Sequence, residues 1–234
     1  MEAILELYHR PYDALHPMVC FDEKSLQLLA QITSPLSLRP AHPTRQDYEY
    51  RRNGTRNLFL LVEPKAGVRQ VLVTQRRTKR DFAQLMRYLV DVLYPTAEYI
   101  DLVMDNLNTH GYHSLVETFG KMEADRIMQR LHFHFTPPHA SWLNMAEIEL
   151  SVLSKQCLSR RMPDEWTLTT EIIHWEISRN PRQAKIRWNF SVEDARLVFK
   201  DYYLAQESCF LLTENRERQM PSILNEYFPT TLVC

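Results

Sequence analysis

Phe82, Leu85, Met86, Leu89, Val90 and Leu93 recur at i, i+3, i+4, i+7, i+8 and i+11, the spacing of one apolar helix face, and Pro95 stops the pattern. Thr78 and Asp81 stand at the spacing of an N-terminal cap. The run Val68–Gln75 before this helix and the run Tyr99–Asp105 after it both read as strands, and a right-handed crossover makes them parallel. Another strand, Asn57–Glu63, is joined to Val68–Gln75 by Pro64-Lys65-Ala66-Gly67, a hairpin turn that makes this pair antiparallel. A first strand at Met18–Asp22, a helical stretch at about Ser114–Arg130 broken near Gly120, a strand at Leu131–Thr136, and helices at about 144–158 and 167–179 complete the pattern. The order predicts an α/β fold, a mixed sheet with helices on both faces. Residues 24–56 give no such signal. Pro35, Pro40 and Pro43 make Ser34–Thr44 a loop, so this segment reads as an insertion between the first strand and the hairpin. The tail after about Tyr203 has apolar residues without a sustained period and is expected to pack poorly.

With 234 residues, 44% hydrophobic and 11% aromatic, the chain has enough apolar material for one main globular domain. No apolar run is long and uncharged enough to span a bilayer, and Glu2 and Glu6 stand where a signal peptide carries its basic region. Cys20, Cys157, Cys209 and Cys234 are scattered singly, which fits a reducing cytoplasm rather than a disulfide framework. A net charge of −1 argues against a uniformly basic nucleic-acid binder. Local charge reads differently: Arg76, Arg77, Lys79 and Arg80 fall within five residues, and Arg45, Arg51, Arg52 and Arg56 form a looser set. Such clusters can neutralise phosphates, or they can simply be solvated loop and helix-start residues.

Three acids mark element ends. Asp22 closes Met18-Val19-Cys20-Phe21, Asp105 closes Ile100–Met104, and Glu147 opens the helix after the proline loop. Three carboxylates on three elements, without a Cys or His cluster of metal spacing, point to a hard ion such as Mg²⁺ rather than zinc. Each has a structural alternative. Asp22 can be a strand-end acid, Asp105-Asn106 can cap a turn, and Glu147 stands three after Asn144, the spacing of a capping box. Glu149 competes for the third place, because on a helical wheel it lies closer than Glu147 to the stripe of Met145, Ile148 and Val152. His132 and His134 share one strand face, but no cysteine accompanies them and His110 and His113 are far away in sequence, which disfavours zinc.

Val19-Cys20-Phe21-Asp22-Glu23-Lys24, the stretch from Leu102 to His110, and Phe135-Thr136-Pro137-Pro138-His139-Ala140-Ser141-Trp142-Leu143-Asn144-Met145-Ala146-Glu147 resemble, in order, the three acid-bearing motifs of the mariner-related bacterial insertion-sequence transposases, the insertion sequence 630 family. The likeness runs from about residue 1 to about residue 200. It implies a ribonuclease-H-like fold with a mixed five-stranded sheet, residues 18–202 as catalytic domain, 1–17 as a lead-in and 203–234 as a divergent tail. It implies a triad of Asp22, Asp105 and Glu147 that holds two Mg²⁺ or Mn²⁺ ions, with cutting and rejoining of DNA at transposon ends. By the motif the third acid is Glu147; by periodicity alone Glu149 remains open. His110 is expected to support the Asp105 loop, His139 to lie near the cleft, and Trp142 to stack on a base or anchor its loop. The implied partners are terminal-repeat and target DNA and a second copy or a separate DNA-binding subunit, in the bacterial cytoplasm on the nucleoid. The chain departs from the family in two ways. Only about seventeen residues precede the first strand, too few for the family's helix-turn-helix segments, and Pro138 and Ala140 replace a basic residue and a glycine. A catalytic domain from a split reading frame and a non-catalytic, truncated remnant are both compatible with this, and a nuclease of RNA–DNA hybrids shares the metal site without the motif wording.

Overall fold

The computed structural model of the protein describes residues 1–32, 49–106 and 111–200. Its centre is a five-stranded sheet: β1 (Met18–Gln31), β2 (Tyr50–Glu63), β3 (Val68–Thr74), β4 (Ile100–Met104) and β5 (Leu131–Phe135), in the order β3-β2-β1-β4-β5. β2 and β3 form the antiparallel hairpin expected, turning at Pro64–Gly67, where Gly67 has φ +72° and its N–H bonds the Glu63 carbonyl at 2.9 Å. A Cβ on Gly67 would come within 2.5 Å of the Gln183 backbone, so the turn needs glycine both for its conformation and for that close approach. β1 is antiparallel to β2 and parallel to β4, and β4 is parallel to β5.

One expectation changes, and one helix is added. β1 and β2 run on far past residues 22 and 57 as a paired arm to Gln31 and Tyr50, so much of the segment read as an insertion is strand. Between the pairs Gln27–Thr55 and Leu29–Arg52, β2 has one residue more than β1, a bulge beside Gly54 with φ +87°. The lead-in contains a helix, α1 (Glu2–His9), whose Ile4, Leu5, Leu7 and Tyr8 are buried. The proline loop 34–44, His110 and the tail after 203 lie outside the described residues.

Strand alternation builds a core on each face of the sheet. Met18, Cys20, Leu58, Leu60, Val62 and Val103 pack toward α1, α5 (Met145–Gln156) and α6 (Glu165–Arg179). Val19, Phe21, Phe59, Leu61, Leu102 and Met104 pack toward α2 (Lys79–Tyr88), α3 (Tyr112–Phe119) and α4 (Lys121–Met128). α2 opens with the Thr78–Asp81 capping box, and its apolar face continues through a wider, π-type turn at Leu89–Leu93. Gly120, with φ +83°, separates α3 from α4. From Asn189 the chain forms a second compact unit, which contains α7 (Val192–Val198), capped by Ser191 and Asp194. Among the described residues no helix is long and apolar enough to cross a membrane.

Candidate active site

The β1–β4 register pairs Met18 with Asp101 and Cys20 with Val103; extended by two residues it brings Asp22 level with Asp105. Cys20 and Val103 belong to the core on the α5 side, so alternation turns Asp22 and Asp105 to that same side. Adjacent strands lie ~4.8 Å apart, close enough for two such acids to share a charge environment.

α5 covers this face and begins beside Asp22. Its N-cap, Asn144, uses both ends of its amide: Oδ1 accepts from the Ala146 N–H at 3.1 Å, and Nδ2 donates to the Phe21 carbonyl at 2.8 Å. Glu147 follows in the first turn, exposed, and lines with Asp22 an open groove of about 420 Å³. The capping-box role proposed for Glu147 is not realised, because the Asn144 side chain takes the Ala146 N–H instead.

Burial pushes the Asp22 carboxyl up to about 6; the charges of Asp105, Glu147 and Glu23 push it the same way, against a 2.7 Å bond from the Glu23 N–H. Neither Asp22 nor Glu147 forms an ion pair among the described residues. Carboxylate oxygens are the donor set that a hard divalent ion takes. The acids are not closed into a cage: among the described residues no group of three His, Cys, Asp or Glu side chains stands close enough to hold an ion.

Glu149 turns inward, as its place on the wheel suggests, but meets arginines there. Fully buried, it pairs with Arg69 of β3 at 3.1 Å and with Arg179 of α6 at 2.6 Å, which withdraws it from the groove. His132 and His134 are likewise engaged, facing the buried Asp101 at 3.8 and 2.6 Å. Arg10 approaches the same carboxylate at 3.2 Å, so this cluster is an acid with basic partners rather than a zinc site.

The expected phosphate contacts divide. Arg77 pairs with Glu23 at 3.0 Å, next to Asp22, while Lys79 pairs with Glu117 at 2.9 Å. Arg76 and Arg80 are exposed. Lys79 and Arg80 line a second open depression of about 810 Å³ with Arg87. His139 is exposed in a left-handed conformation, φ 62°. Trp142 is 39% exposed and stacks on Trp188 with 6.1 Å between centroids. Sequence reasoning missed Lys24 and Lys155, which line the groove of Asp22 and Glu147. The signal was present: Lys24 lies two residues beyond Asp22 on the same strand face, and Lys155 about two turns beyond Glu147.

No curated protein matches this chain in sequence. Among solved structures it is similar to the Mos1 mariner paired end complex with Mn, at 14% identity and a TM-score of 0.53, covering 78% of this chain and 54% of that one. The Mos1 transposase paired-end complex with left transposon end gives 15% identity and a TM-score of 0.52 over the same shares, and the pre-cleavage Mos1 transpososome 15% and 0.51. The chain thus spans about half the length of the solved chains that it matches. At such identity the likeness shows the fold, and the fold is the ribonuclease-H-like one expected, a mixed five-stranded sheet flanked by helices. The sequence also matches the description "DDE superfamily endonuclease" over residues 17–169, from the threshold of β1 into α6 and across Asp22, Asp105 and Glu147; the chain belongs to that family.

Proposed function

We propose that this chain is the catalytic domain of a transposase of the bacterial insertion sequence 630 kind, which cleaves DNA strands at transposon ends and joins them to target DNA. The observation that supports this reading is that Asp22 and Glu147 line one groove while Asp105, just past the end of β4, acts with Glu147 on the Asp22 carboxyl. In this reading Asp22, Asp105 and Glu147 hold two Mg²⁺ or Mn²⁺ ions. When bound, the ions would activate a water or 3′-hydroxyl and neutralise charge on the leaving oxygen.

The remaining groups bind and orient the strand. The groove runs along the seam of β1 and α5, where Lys24 Nζ donates to Ser154 Oγ at 2.6 Å and Lys155 stands on the helix rim. Neither lysine forms an ion pair among the described residues, so both ammonium groups are available to backbone phosphates that enter beside the acids. Arg77, on the other side of Asp22, can exchange Glu23 for a phosphate. Mos1 was solved with Mn and as a paired-end complex, which supports divalent-ion use and a pairing of protomers or subunits on two DNA ends here.

Incubating the full chain with Mg²⁺ or Mn²⁺ and a plasmid carrying the element's terminal repeats tests the proposal. Strand cleavage at the repeats is expected, and Asp22→Asn, Asp105→Asn and Glu147→Gln each abolish it. Undiminished cleavage by Asp105→Asn, or preferential cutting of an RNA–DNA hybrid, contradicts it.

A further inference from the structure

Glu147 reaches the groove from a helix whose start is set by the turn Ser141–Leu143 and by Asn144. This turn is held from several directions. Tyr8 of α1 donates its hydroxyl to the Leu143 carbonyl at 2.5 Å. Trp142 stacks on Trp188, which meets the Tyr8 ring edge-on at 5.2 Å. Asn144, only 2% exposed, ties the turn to β1.

Capping a helix requires only an acceptor, and Ser or Asp supplies one as well as Asn does. What asparagine adds is the NH₂ group, and here it reaches a different element, at the residue before Asp22. The β1–β4 pairing ends at Cys20 and Val103, and the Asn144 amide takes up the Phe21 carbonyl just beyond that point. One side chain therefore holds β1 at the residue before Asp22, just past the end of its pairing with β4, and caps the helix that carries Glu147.

We propose that Asn144 is a positioning residue: its amide sets the spacing between Asp22 and Glu147 at which a divalent ion bridges them, and Tyr8 braces the same turn from α1. This inference rests on the metal-site reading above. Neither residue touches the reacting atoms; both act through the backbone that carries the acids.

Mn²⁺ binding to the full chain, followed by electron paramagnetic resonance at about 10 °C with circular dichroism to verify folding, separates positioning from mere stability. Asn144→Ser keeps a cap acceptor but loses the donor, and is expected to weaken Mn²⁺ binding about tenfold, the lower end of what lost outer-shell partners cost. Tyr8→Phe keeps the ring and removes one hydrogen bond, with about a threefold loss expected. Cleavage kcat should fall in both while KM for DNA stays unchanged. Folded variants that bind Mn²⁺ as the unaltered chain does overturn the proposal, whatever their melting temperatures. Should Asn144→Ser fail to fold, Tyr8→Phe decides alone by the same criterion. An Asp22→Asn variant distinguishes the two readings: loss of Mn²⁺ binding there, with Asn144→Ser unaffected, overturns only the positioning role, whereas undiminished binding in Asp22→Asn overturns the metal site itself.

Discussion

Glu149 and Arg69 form a fully buried ion pair, 3.1 Å between Oε1 and Nε, two residues along α5 from the exposed Glu147. One helix thus turns neighbouring acids to opposite ends: Glu149 locks α5 to β3 and α6, and that lock leaves Glu147 facing the groove.

Stability and activity should therefore separate between these two positions. Glu149→Ala leaves the buried Arg69 uncompensated and should cost about 3–5 kcal/mol in urea unfolding. Glu147→Gln should change stability by no more than about 0.5 kcal/mol, as exposed substitutions do, and abolish cleavage. The reverse pattern would make Glu149 the functional acid.

Acid pH should stabilise the metal-free domain. Burial pushes Glu176 up to about 7, against the bond from the Val71 N–H and the charge of Arg69, and Asp22 is pushed up to about 6, mainly by burial as well. A carboxyl whose pKa is higher folded than unfolded contributes stability below its unfolded value, and loses it as pH rises through the folded value. The unfolding free energy should fall between pH 4.5 and 7.5, by on the order of 1–3 kcal/mol in total, and Glu176→Gln should flatten about half of the slope. Asp101 acts in the other direction at lower pH. Burial there is outweighed by His134, Arg10 and His132, its pKa is lowered, and its contribution is lost only as pH falls through the carboxylate range.

How much of this was legible beforehand differs between elements. The helix at Phe82–Leu93 and the hairpin turn at Pro64–Gly67 could be read because period and turn chemistry agree there, whereas the side-by-side, parallel placement of β1 and β4 followed only from the family resemblance. The arm of β1 and β2 could not: residues 50–57 are mostly polar, Leu26 and Leu28 reach the core from a strand otherwise rich in polar residues, and the phase changes at the bulge beside Gly54. Glu149 shows a different limit. Periodicity points it inward, but its partners come from β3 and α6, 80 and 30 residues away, and no local pattern announces them.

The groove lysines should appear in the salt dependence of DNA binding. Lys24→Glu or Lys155→Glu should weaken binding to end DNA and lower the slope of log K against log salt by about 0.7–0.9 per lost phosphate contact. Arg77→Glu should do the same. A slope unchanged in all three would place the strand elsewhere.

Divalent ions should raise the stability of the unaltered chain at pH 8 by about 1.4 kcal/mol when present at ten times their Kd, because they bind the folded acids and not the unfolded chain. Asp22→Asn should remove this increment. Calorimetry with and without Mn²⁺ gives the comparison.

The most direct test is anomalous X-ray scattering from crystals of the chain grown with Mn²⁺. The account predicts two peaks about 3.5–4 Å apart, bounded by the carboxylates of Asp22, Asp105 and Glu147. Peaks beside other residues, or Mn²⁺ held without any one of these three acids, would contradict it.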